Sequence, residues 1–508
     1  MRTVILKSFQ NPQQSKANLQ KSSQWEVAAE LTEGVQHHNG STRSPLQHKP
    51  KTINQTKIIM SLKRIPTPTQ DAGNWGTILN DHIAQTQNPI NGAFNSFDQF
   101  LSRPTNLTAD DAGRTYLFTQ TGNWHEWSGS EWKVQNKSEV NVKDYGAIGD
   151  YNKVNNSGAD DSSAIQFCLD NFDTVLIPKG NYLLNNSLKV LSDKKIYGSS
   201  MKDTFLFRVP TTKTDHGTST SIGGNVDSYN VNSVFTMFSP NGYWNLGSEI
   251  SDITINSTNS TRVDYGFYAP RIGKFTIKNI YMNNIDYGFR SHDSFLGNFQ
   301  KIEQSSGKVL FEIVKDASGS AGGTSMNLSD CATGGGESIQ DSLGYNIFGL
   351  TYSCFTHCTV DGHQMSFKFN TCRGITLNGC GTEIIQPSND TTSAIAIEIQ
   401  TSQIVINGFR AIGIYGGNFA TETYQLLVGF GSNVIMNACR FDPLQPINGN
   451  KTRDWQVYAN STLICNNTLL PTGGQYGGIV LDTSAVQFND GIDIKRQTAT
   501  GTKTVQFI

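Results

Sequence analysis

The chain has 508 residues, a formal net charge of −2 and only 16% charged side chains, so it lacks the basic field that nucleic-acid binding requires. No apolar run reaches the length of a membrane-spanning helix, which predicts that the protein does not insert into a membrane. No residue pattern points to a cofactor, and we predict none. The 48 glycines, together with abundant Asn, Ser and Thr, are typical of β-rich proteins with many turns.

The N-terminal part of the chain divides into two predicted segments. Residues 1–59 are rich in Gln, Lys, Ser and Asn and show little apolar periodicity, which predicts a disordered extension. In residues 60–104, Trp75, Ile78 and Ile83 lie at helical spacing, so we predict a short helical attachment or stem region. Its apolar face suits a trimeric stem or a partner's surface, and equally suits packing on its own domain.

Residues 105–137 form a predicted small Trp-rich β module. Trp124, Trp127 and Trp132 cluster around Gly and Ser turns, a pattern typical of hairpins. Three indole rings can stack on sugar rings, but such a cluster more often forms the core of a small domain that has little else to bury. The sequence leaves both interpretations open.

Residues 140–188 carry the most specific pattern in the chain. Val140 and Val142 alternate with polar residues, as in a short strand, and Asp160 and Asp161 are placed to cap a helix. A turn at Pro-Lys-Gly then separates two further strands. The helix is expected to bury Ala164, Ile165, Cys168 and Leu169, and the strands are expected at Thr174–Ile177 and from Tyr182 to Leu188.

These residues carry a resemblance to a known superfamily. The segments KDYGAIGD, ADDSSAIQ and VLIPKGNY resemble the opening motif of pectate-lyase-like right-handed parallel β-helices, as found in phage tailspikes and rhamnogalacturonase-like proteins. Tyr151 and Ser162 stand where the usual pattern has Gly and Thr, and residues 153–158 lengthen the loop. The resemblance covers roughly residues 140–442 and implies the fold but no single reaction, because the superfamily includes lyases, hydrolases and inert binders.

An internal repeat runs from about Asn245 to Asp442. Its segments, such as KFTIKNIYM and GITLNGCGT, each consist of a short strand, a tight turn and a second strand, and they recur at intervals of 21–30 residues, as the coils of a β-solenoid do. We therefore predict an all-β protein in which residues 138–442 form a single-stranded right-handed parallel β-helix. The expected apolar anchors are Ile253, Ile277, Ile302, Leu328, Phe355, Leu377, Ile406 and Met436.

Asparagine is expected at the tight turn of three successive coils. Asn378, Asn407 and Asn437 follow their anchors directly, and Asn tolerates left-handed backbone and can hydrogen-bond its equivalent in the next coil. The repeat is lost after two prolines, so residues 443–508 are predicted to be a C-terminal β cap or trimerisation region that covers the open strand edges of the last coil.

Five of the eight cysteines fall between Cys331 and Cys380. Their spacing is a poor match to the paired Cys and His ligands of a zinc site, so no metal is predicted. Cys is among the most buried side chains, and the cysteines are expected to form a buried stack of free thiols. Such a stack suits synthesis in a reducing cytoplasm.

The candidate catalytic residues are Asp361 and Glu383. When the repeats are aligned on their turns, both residues occupy the same outward position on strands of neighbouring coils. Adjacent strands are about 4.8 Å apart, so the two carboxyl groups can reach the separation of either a retaining or an inverting glycoside hydrolase. The alternative is that they only cap turns or join an outer charge ladder.

Five further residues are expected to bind substrate. Arg410 lies one coil beyond the carboxylate pair, where it can hold an acidic sugar, and Arg440 and Asp442 lie on the coil after that. His363 and Arg373 would serve a lyase, the first as a proton shuttle and the second as a base near a uronate.

The resemblance to phage tailspikes implies a function. We predict a trimeric, tailspike-like protein of the virion tail, made in the host cytoplasm, that binds a bacterial capsule or O-antigen and depolymerises it by glycoside hydrolysis at the cell surface. Its N-terminal region would attach to a phage tail or baseplate protein. The alternatives are a polysaccharide lyase that acts by β-elimination on a uronate polymer and a glycan-binding adhesin that does not cut.

Overall fold

The structure is a computed structural model in which the chain divides into two compact units, Met1–Leu62 and Lys63–Ile508. Every described residue belongs to the second unit. The predicted extension at 1–59 and nearly all of the predicted helical region at 60–104 therefore lie outside the described residues. The structure describes residues 96–97, 103–118, 123–134, 139–220, 224, 226–315, 322–336, 339–383, 394–412, 415–416, 423–442, 445–446, 452–458, 460–468, 479–481, 485–489 and 506–507.

A small sheet forms before the coils begin. Its first strand pairs in parallel with the second, and the next two strands follow as antiparallel hairpins. The helix predicted within residues 60–104 is wrong at Ser96–Phe97, because the backbone there extends to pair with the edge of the second strand. The strands are β1 (Ser96–Phe97), β2 (Thr115–Phe118), β3 (Asn123–Trp127) and β4 (Trp132–Val134).

Two tryptophans of this sheet pack inside it. Trp132 is buried, and its ring meets Tyr116 edge-on with the centroids 5.1 Å apart. Trp127 packs on Trp132 at 5.6 Å and donates its indole N–H to the Thr108 carbonyl oxygen at 2.8 Å. These contacts favour the interpretation that both rings form the core of the small sheet over the interpretation that they stack on sugar rings.

The opening motif forms a helix between strands. The strand that begins at Val140 gives way after one further residue to a 3₁₀ helix at Val142–Tyr145, so the predicted alternation is wrong beyond that point. Helix α1 (Ser162–Asn171) buries the four predicted apolar positions. The strand expected over residues 182–188 is divided in two. The strands are β5 (Val140–Asn141), β6 (Thr174–Ile177), β7 (Gly180–Leu184) and β8 (Leu188–Val190).

The two aspartates before α1 have different roles, and only one caps the helix. Asp160 accepts hydrogen bonds from the backbone N–H and the hydroxyl of Ser162, at 3.0 and 2.6 Å. The Asp161 carboxylate instead accepts from the N–H groups of Ile148 (2.6 Å) and Gly149 (3.2 Å), so its predicted capping role is wrong. Desolvation by burial raises the pKa of Asp161 to about 7, against the opposing effect of these hydrogen bonds.

The chain then winds into the stacked coils of a right-handed parallel β-helix, which confirms the predicted fold class. Strands of successive coils pair in parallel on three faces. Helices are few, and none among the described residues is both long and apolar enough to cross a membrane. Face A consists of β8 with β13 (Ser233–Met237), β16 (Val263–Tyr268), β19 (Ile285–Ser291), β22 (Val309–Ile313), β26 (Leu343–Phe348), β29 (Met365–Asn370), β32 (Ile395–Gln400), β36 (Thr423–Val428), β40 (Thr452–Val457) and β42 (Ile479–Leu481).

Faces B and C share one long strand in three successive coils and have separate strands in the coils before and after these. Face B consists of β5 and β6 with β9 (Lys195–Gly198), β15 (Glu249–Ser257), β18 (Thr276–Asn283), β21 (Asn298–Ser305), β24 (Asn327–Ser329), β27 (Leu350–Thr356), β30 (Arg373–Asn378), β33 (Gln403–Asn407), β37 (Asn433–Asn437), β41 (Thr462–Asn466), β43 (Ala485–Asn489) and β44 (Gln506–Phe507). Face C consists of β7, β10 (Thr204–Arg208), the second halves of β15, β18 and β21, and then β25 (Ala332–Gly334), β28 (Thr359–Asp361), β31 (Gly381–Glu383), β34 (Arg410–Ile412) and β38 (Arg440–Phe441).

Shorter strands lie beside the three faces. An antiparallel hairpin follows β10, four short strands precede face B in the early coils, and one parallel pair stands apart. They are the hairpin β11 (Thr214–Thr220) and β12 (Val226–Val231), then β14 (Asn245–Leu246), β17 (Arg271–Gly273), β20 (Asp293–Phe295) and β23 (Gly322–Thr324), and the pair β35 (Tyr415–Gly416) and β39 (Gln445–Pro446).

The coils continue beyond the predicted boundary at Asp442. β36 pairs with β40 and β37 pairs with β41, so faces A and B extend at least to Asn466, and β42 and β43 add to them. The boundary was placed at the prolines, but Pro446 belongs to β39, beside the three faces, and so does not interrupt a coil. Most of the remaining residues of the predicted cap lie outside the described part of the chain.

In-register stacking builds the core as rows of equivalent side chains. On face A, Phe311 stacks on Tyr345 with centroids 5.5 Å apart, and Tyr345 stacks on Phe367 at 4.7 Å with an angle of 4° between the rings. Leu328, Phe355, Leu377, Ile406 and Met436 align and are buried, as expected of anchors.

Two predicted anchors belong to a different row. Ile277 pairs with Phe299, whereas Ile253 and Ile302 both pair with Ile280, which lies three residues further along β18. All of these residues are buried, so only the assignment of the anchors to rows was wrong. The misassignment arose because the early strands continue from face B to face C without a break.

From β15 to β38, a residue with positive φ turns each coil from face B to face C. The predicted turn asparagines are not these residues, because Asn378, Asn407 and Asn437 are still the last residues of their strands. The left-handed residue is the next one in each coil. The described turn residues are Asp252, Asn279, Lys301, Asp330, His357, Gly379, Gly408 and Ala438.

The asparagines themselves form the predicted hydrogen-bonded ladder between coils. Asn407 donates its amide N–H to Asn378 Oδ1 at 2.8 Å, Asn437 donates to Asn407 Oδ1 at 2.7 Å, and Asn466 donates to Asn437 Oδ1 at 2.7 Å. Each amide in the middle of the ladder therefore both donates and accepts, and the ladder joins neighbouring coils at the corner.

We expect Asn407→Ala to lower the apparent melting temperature of the protein. The change removes one donated and one accepted side-chain hydrogen bond, a loss of roughly 1–3 kcal/mol. Asn433→Ala is the matched control, since Asn433 is exposed at the start of β37 in the next coil. Equal melting temperatures for the two variants would show that the ladder adds no stability.

Candidate functional site

The two candidate carboxylates lie side by side on face C. Asp361 ends β28 and Glu383 ends β31, and the two residues pair directly across neighbouring coils. Both are exposed. The N–H of Gly362 donates to the Glu383 carbonyl oxygen at 3.1 Å, which fixes the register where the strands end. Paired residues on neighbouring strands are about 4.8 Å apart, so the two carboxylate side chains project from the surface side by side.

Strand alternation gives these side chains their direction. Cys358, Cys380, Phe409 and Cys439 are at most 1% exposed and point into the coil, as their predicted positions require. Thr359 points outward, and Asp361, two residues later on the same strand, points outward as well.

The arginines form the next part of the same face. Arg410 pairs with Gly381 on one side and Arg440 on the other, and it makes no ion pair with any described residue. Arg440 Nε instead contacts Asp442 Oδ1 at 3.0 Å. A side chain at Gly381 would put its Cβ 2.9 Å from the Arg410 carbonyl oxygen, so the glycine is required by the close approach of the two strands.

His363 is not available to a substrate, which corrects its predicted role. It is fully buried, with Nε2 3.0 Å from the Thr333 hydroxyl, and that hydroxyl donates to Gln304 Oε1 at 3.1 Å. Burial lowers the pKa of His363 to about 4, because the apolar interior disfavours the charged imidazole. It belongs to an interior polar network that spans three coils.

Arg373 lies away from the carboxylate pair. It is the exposed first residue of β30, at the opposite end of face B from the corner that leads to Glu383. The length of the strand places it about 16 Å from Asn378 at that corner, at roughly 3.3 Å per residue. The expectation that Arg373 joins the same site is therefore corrected.

The cysteines form buried rows of free thiols, as predicted. Cys331, Cys358 and Cys380 follow one another on three coils, and all eight cysteines are unpaired, with seven of them buried. Among the described residues, no group of three or more Cys, His, Asp and Glu side chains could hold a metal ion.

A cleft that the sequence did not predict lies on the outer side of face A, beside the β11–β12 hairpin. Its volume is about 190 Å³. The sequence repeats DYGF on the same face, at residues 264–267 and 286–289, and the two copies stack in register, but none of their residues lines the cleft. Its polar and charged lining includes Asp227, Ser228, Tyr268, Arg290, His292 and Lys315.

Two carboxyl groups of the DYGF copies, outside the lining of the cleft, are partly desolvated. Burial raises the pKa of Asp264, against the attraction of Lys213, and it likewise raises the pKa of Asp286, against the attraction of Arg262 at 3.6 Å. The two aspartates are equivalent residues of the two DYGF copies. Raised carboxyl pKa values often accompany functional surfaces, although structural ion pairs produce them too.

The sequence matches no family model and no curated protein. Among solved structures, the gp42 tailspike of Acinetobacter phage vb_AbaP_AS12 is similar, with a TM-score of 0.60 and 14% identity over 80% of this chain and 79% of that one. The enzymatically active domain of bacteriophage CBA120 tailspike protein 2 has a TM-score of 0.45 and 13% identity over 81% of this chain and 60% of that one. A family 28 exopolygalacturonase of Yersinia enterocolitica has a TM-score of 0.40 and 10% identity over 73% and 84%. The likeness to the Acinetobacter phage tailspike agrees with the right-handed parallel β-helix fold that the opening motif and repeats predicted.

Proposed function

We propose that the protein is a tailspike-like polysaccharide depolymerase that binds a bacterial capsule or O-antigen and cuts it by glycoside hydrolysis. The observation that carries the proposal is the exposed pair of carboxylates, Asp361 and Glu383, in register on neighbouring coils. Paired carboxylates are the usual catalytic equipment of glycoside hydrolases. The fold shared with a phage tailspike is consistent with this function.

In the proposed mechanism the two carboxyl groups divide the chemistry. Glu383 donates its proton to the leaving glycosidic oxygen as the bond to the anomeric carbon breaks. Asp361 either attacks that carbon directly, to give a covalent intermediate that water then hydrolyses, or takes a proton from an attacking water. Carboxyl separations of about 5–5.5 Å favour the first route and wider separations favour the second.

Arg410 is proposed to orient the substrate beside this pair. Its guanidinium is exposed one coil further along face C and makes no ion pair with a described residue, so it is free to hold an acidic group on the polymer. Arg440 is less suited to this role because it already pairs with Asp442. The lyase alternative loses both of its candidate residues, since the proton shuttle His363 is buried and the base Arg373 lies far from the carboxylate pair.

The proposed assembly is a homotrimer on the virion tail. Val405, Ile435 and Ile464 stack in register on the outer side of face B, where apolar side chains gain from being covered. We propose that second and third copies of the chain cover this row. Attachment to a tail or baseplate protein is proposed for the N-terminal region, whose residues lie outside the described part of the chain.

We expect Glu383→Gln to reduce depolymerisation by at least about 100-fold, because the amide cannot act as an acid. Asp361→Asn should have a comparable effect. The assay follows polymer size, new reducing ends and unsaturated-uronate absorbance over a panel of capsular and O-antigen polysaccharides. Glu131→Gln, in the N-terminal sheet, is the control for loss of an exposed carboxylate.

Each outcome of this assay favours one function. Shortened polymer with reducing ends alone supports hydrolysis, and unsaturated products would show a lyase. Glycan retained without cutting would show an adhesin. Full activity of Glu383→Gln would refute the catalytic assignment.

We expect Ile435→Asp to shift the protein from trimer to monomer, because three buried charges would meet in the proposed interface. Light scattering coupled to size-exclusion chromatography measures the change. Thr376→Asp is the matched control, since Thr376 lies in the same row two coils earlier but is not apolar. A trimer that survives Ile435→Asp would place the interface elsewhere.

A further inference from the structure

Two residues that line the cleft beside the β11–β12 hairpin, Asp227 and His292, take part in buried ionic contacts. Asp227, on β12, is buried, and its carboxylate contacts Arg271 Nε at 2.6 Å and His292 Nε2 at 3.0 Å. Desolvation opposes ionisation of Asp227, but the close approach of His292 and the hydrogen bond from Arg271 outweigh it and hold the pKa of this carboxyl below its usual value. The ionic contacts tie the hairpin to two successive coils.

Arg271 supports the cleft from behind. It is 7% exposed and does not line the cleft, and its contact with Asp227 holds that carboxylate in place. The guanidinium of Arg271 therefore positions Asp227 and does not itself meet a ligand.

The mouth of the cleft combines cations with aromatic rings. Arg290 pairs with Glu312 at 2.9 Å while its guanidinium lies over the rings of Tyr265 and Tyr287, 5.7 and 5.3 Å from their centroids. Lys315 is exposed on the other side of the mouth. Aromatic rings beside fixed cations suit a sugar that carries a negative charge.

The charges of the cleft do not cancel. Asp227 is neutralised by Arg271, and Glu312 is neutralised by Arg290, which leaves the positive charge of Lys315. The chain as a whole has a net charge of −2, so this positive surface is local. A neutral sugar would gain no ion pairing from it.

We infer that this cleft is a second glycan-binding site, separate from Asp361 and Glu383, that takes a carboxylated sugar residue. Arg290 and Lys315 hold the carboxylate, Tyr268 contributes an aromatic contact, and Asp227 with Arg271 positions the hairpin. The inference takes its ligand class from the proposed function. A second site on another face would let the spike hold its polymer while face C cuts, which raises the effective concentration of substrate at the pair.

The test measures binding of short acidic glycans to the full chain by isothermal titration calorimetry. The probes are trimers of galacturonate, glucuronate and sialate, with methyl-esterified trigalacturonate as the neutral counterpart. We expect at least one acidic trimer to bind and the ester to bind at least fivefold more weakly than trigalacturonate. Lys315→Gln and Arg290→Gln should each raise the Kd of the bound trimer at least fivefold.

Controls separate this site from the catalytic one. Arg114→Gln removes an ion-paired arginine of similar exposure in the N-terminal sheet and should leave the Kd unchanged. Glu383→Gln should also leave it unchanged while it abolishes cutting. The variants avoid Asp227 and Arg271, because loss of one partner of a buried ion pair would threaten folding.

The inference is overturned if no acidic trimer binds, if the ester binds as well as the acid, or if Lys315→Gln binds as the unchanged protein does. Lys315 is exposed, so that variant keeps the test valid even if Arg290→Gln destabilises the chain. Binding at the cleft without any depolymerisation would refute the proposed function and leave the inference standing. Depolymerisation by the protein, with cleft variants that bind the trimers as tightly as the unchanged protein does, would support the proposed function and refute the inference.

Discussion

Parallel backbone pairing between coils is the constraint on which the rest of the protein depends. Because each coil lies in register on the one before it, every side chain has its equivalent as nearest neighbour. The same rule stacks Phe311, Tyr345 and Phe367 in the core, links Asn378 to Asn407 at the corner, and sets one carboxylate beside another on face C. Stability and site geometry are thus two results of one repeat.

Much of the fold was predictable because its signals are local. The opening motif, the recurring strands and the inward cysteines are all visible in short windows of sequence. The pairing of Asp361 with Glu383 could be predicted because a short turn precedes each strand, so counting from the turn gives the register. The same counting failed for Ile253 and Ile302, since strands β15 and β21 pass the corner without a break.

The errors have physical causes at particular residues. The end of the coils was misplaced because prolines usually stop strands, yet Pro446 lies in a side pair where no coil depends on it. His363 was taken for a surface group because sequence does not show that the short connection between β28 and β29 directs this side chain inward. The cleft was missed because Asp227, Arg271 and His292 come from three separate segments, and only the hairpin's return to the coils brings them together.

The connections between faces C and A differ greatly in length while the rows they join stay in register. Residues 362–364 suffice after Asp361, whereas residues 384–394 follow Glu383 before face A resumes. The longer segment starts directly after Glu383, and the strands on either side of it keep their register with the neighbouring coil. The length of such a connection can therefore change without refolding the scaffold. Under the proposed function, glycan recognition and structural integrity would then be encoded in different residues of one chain.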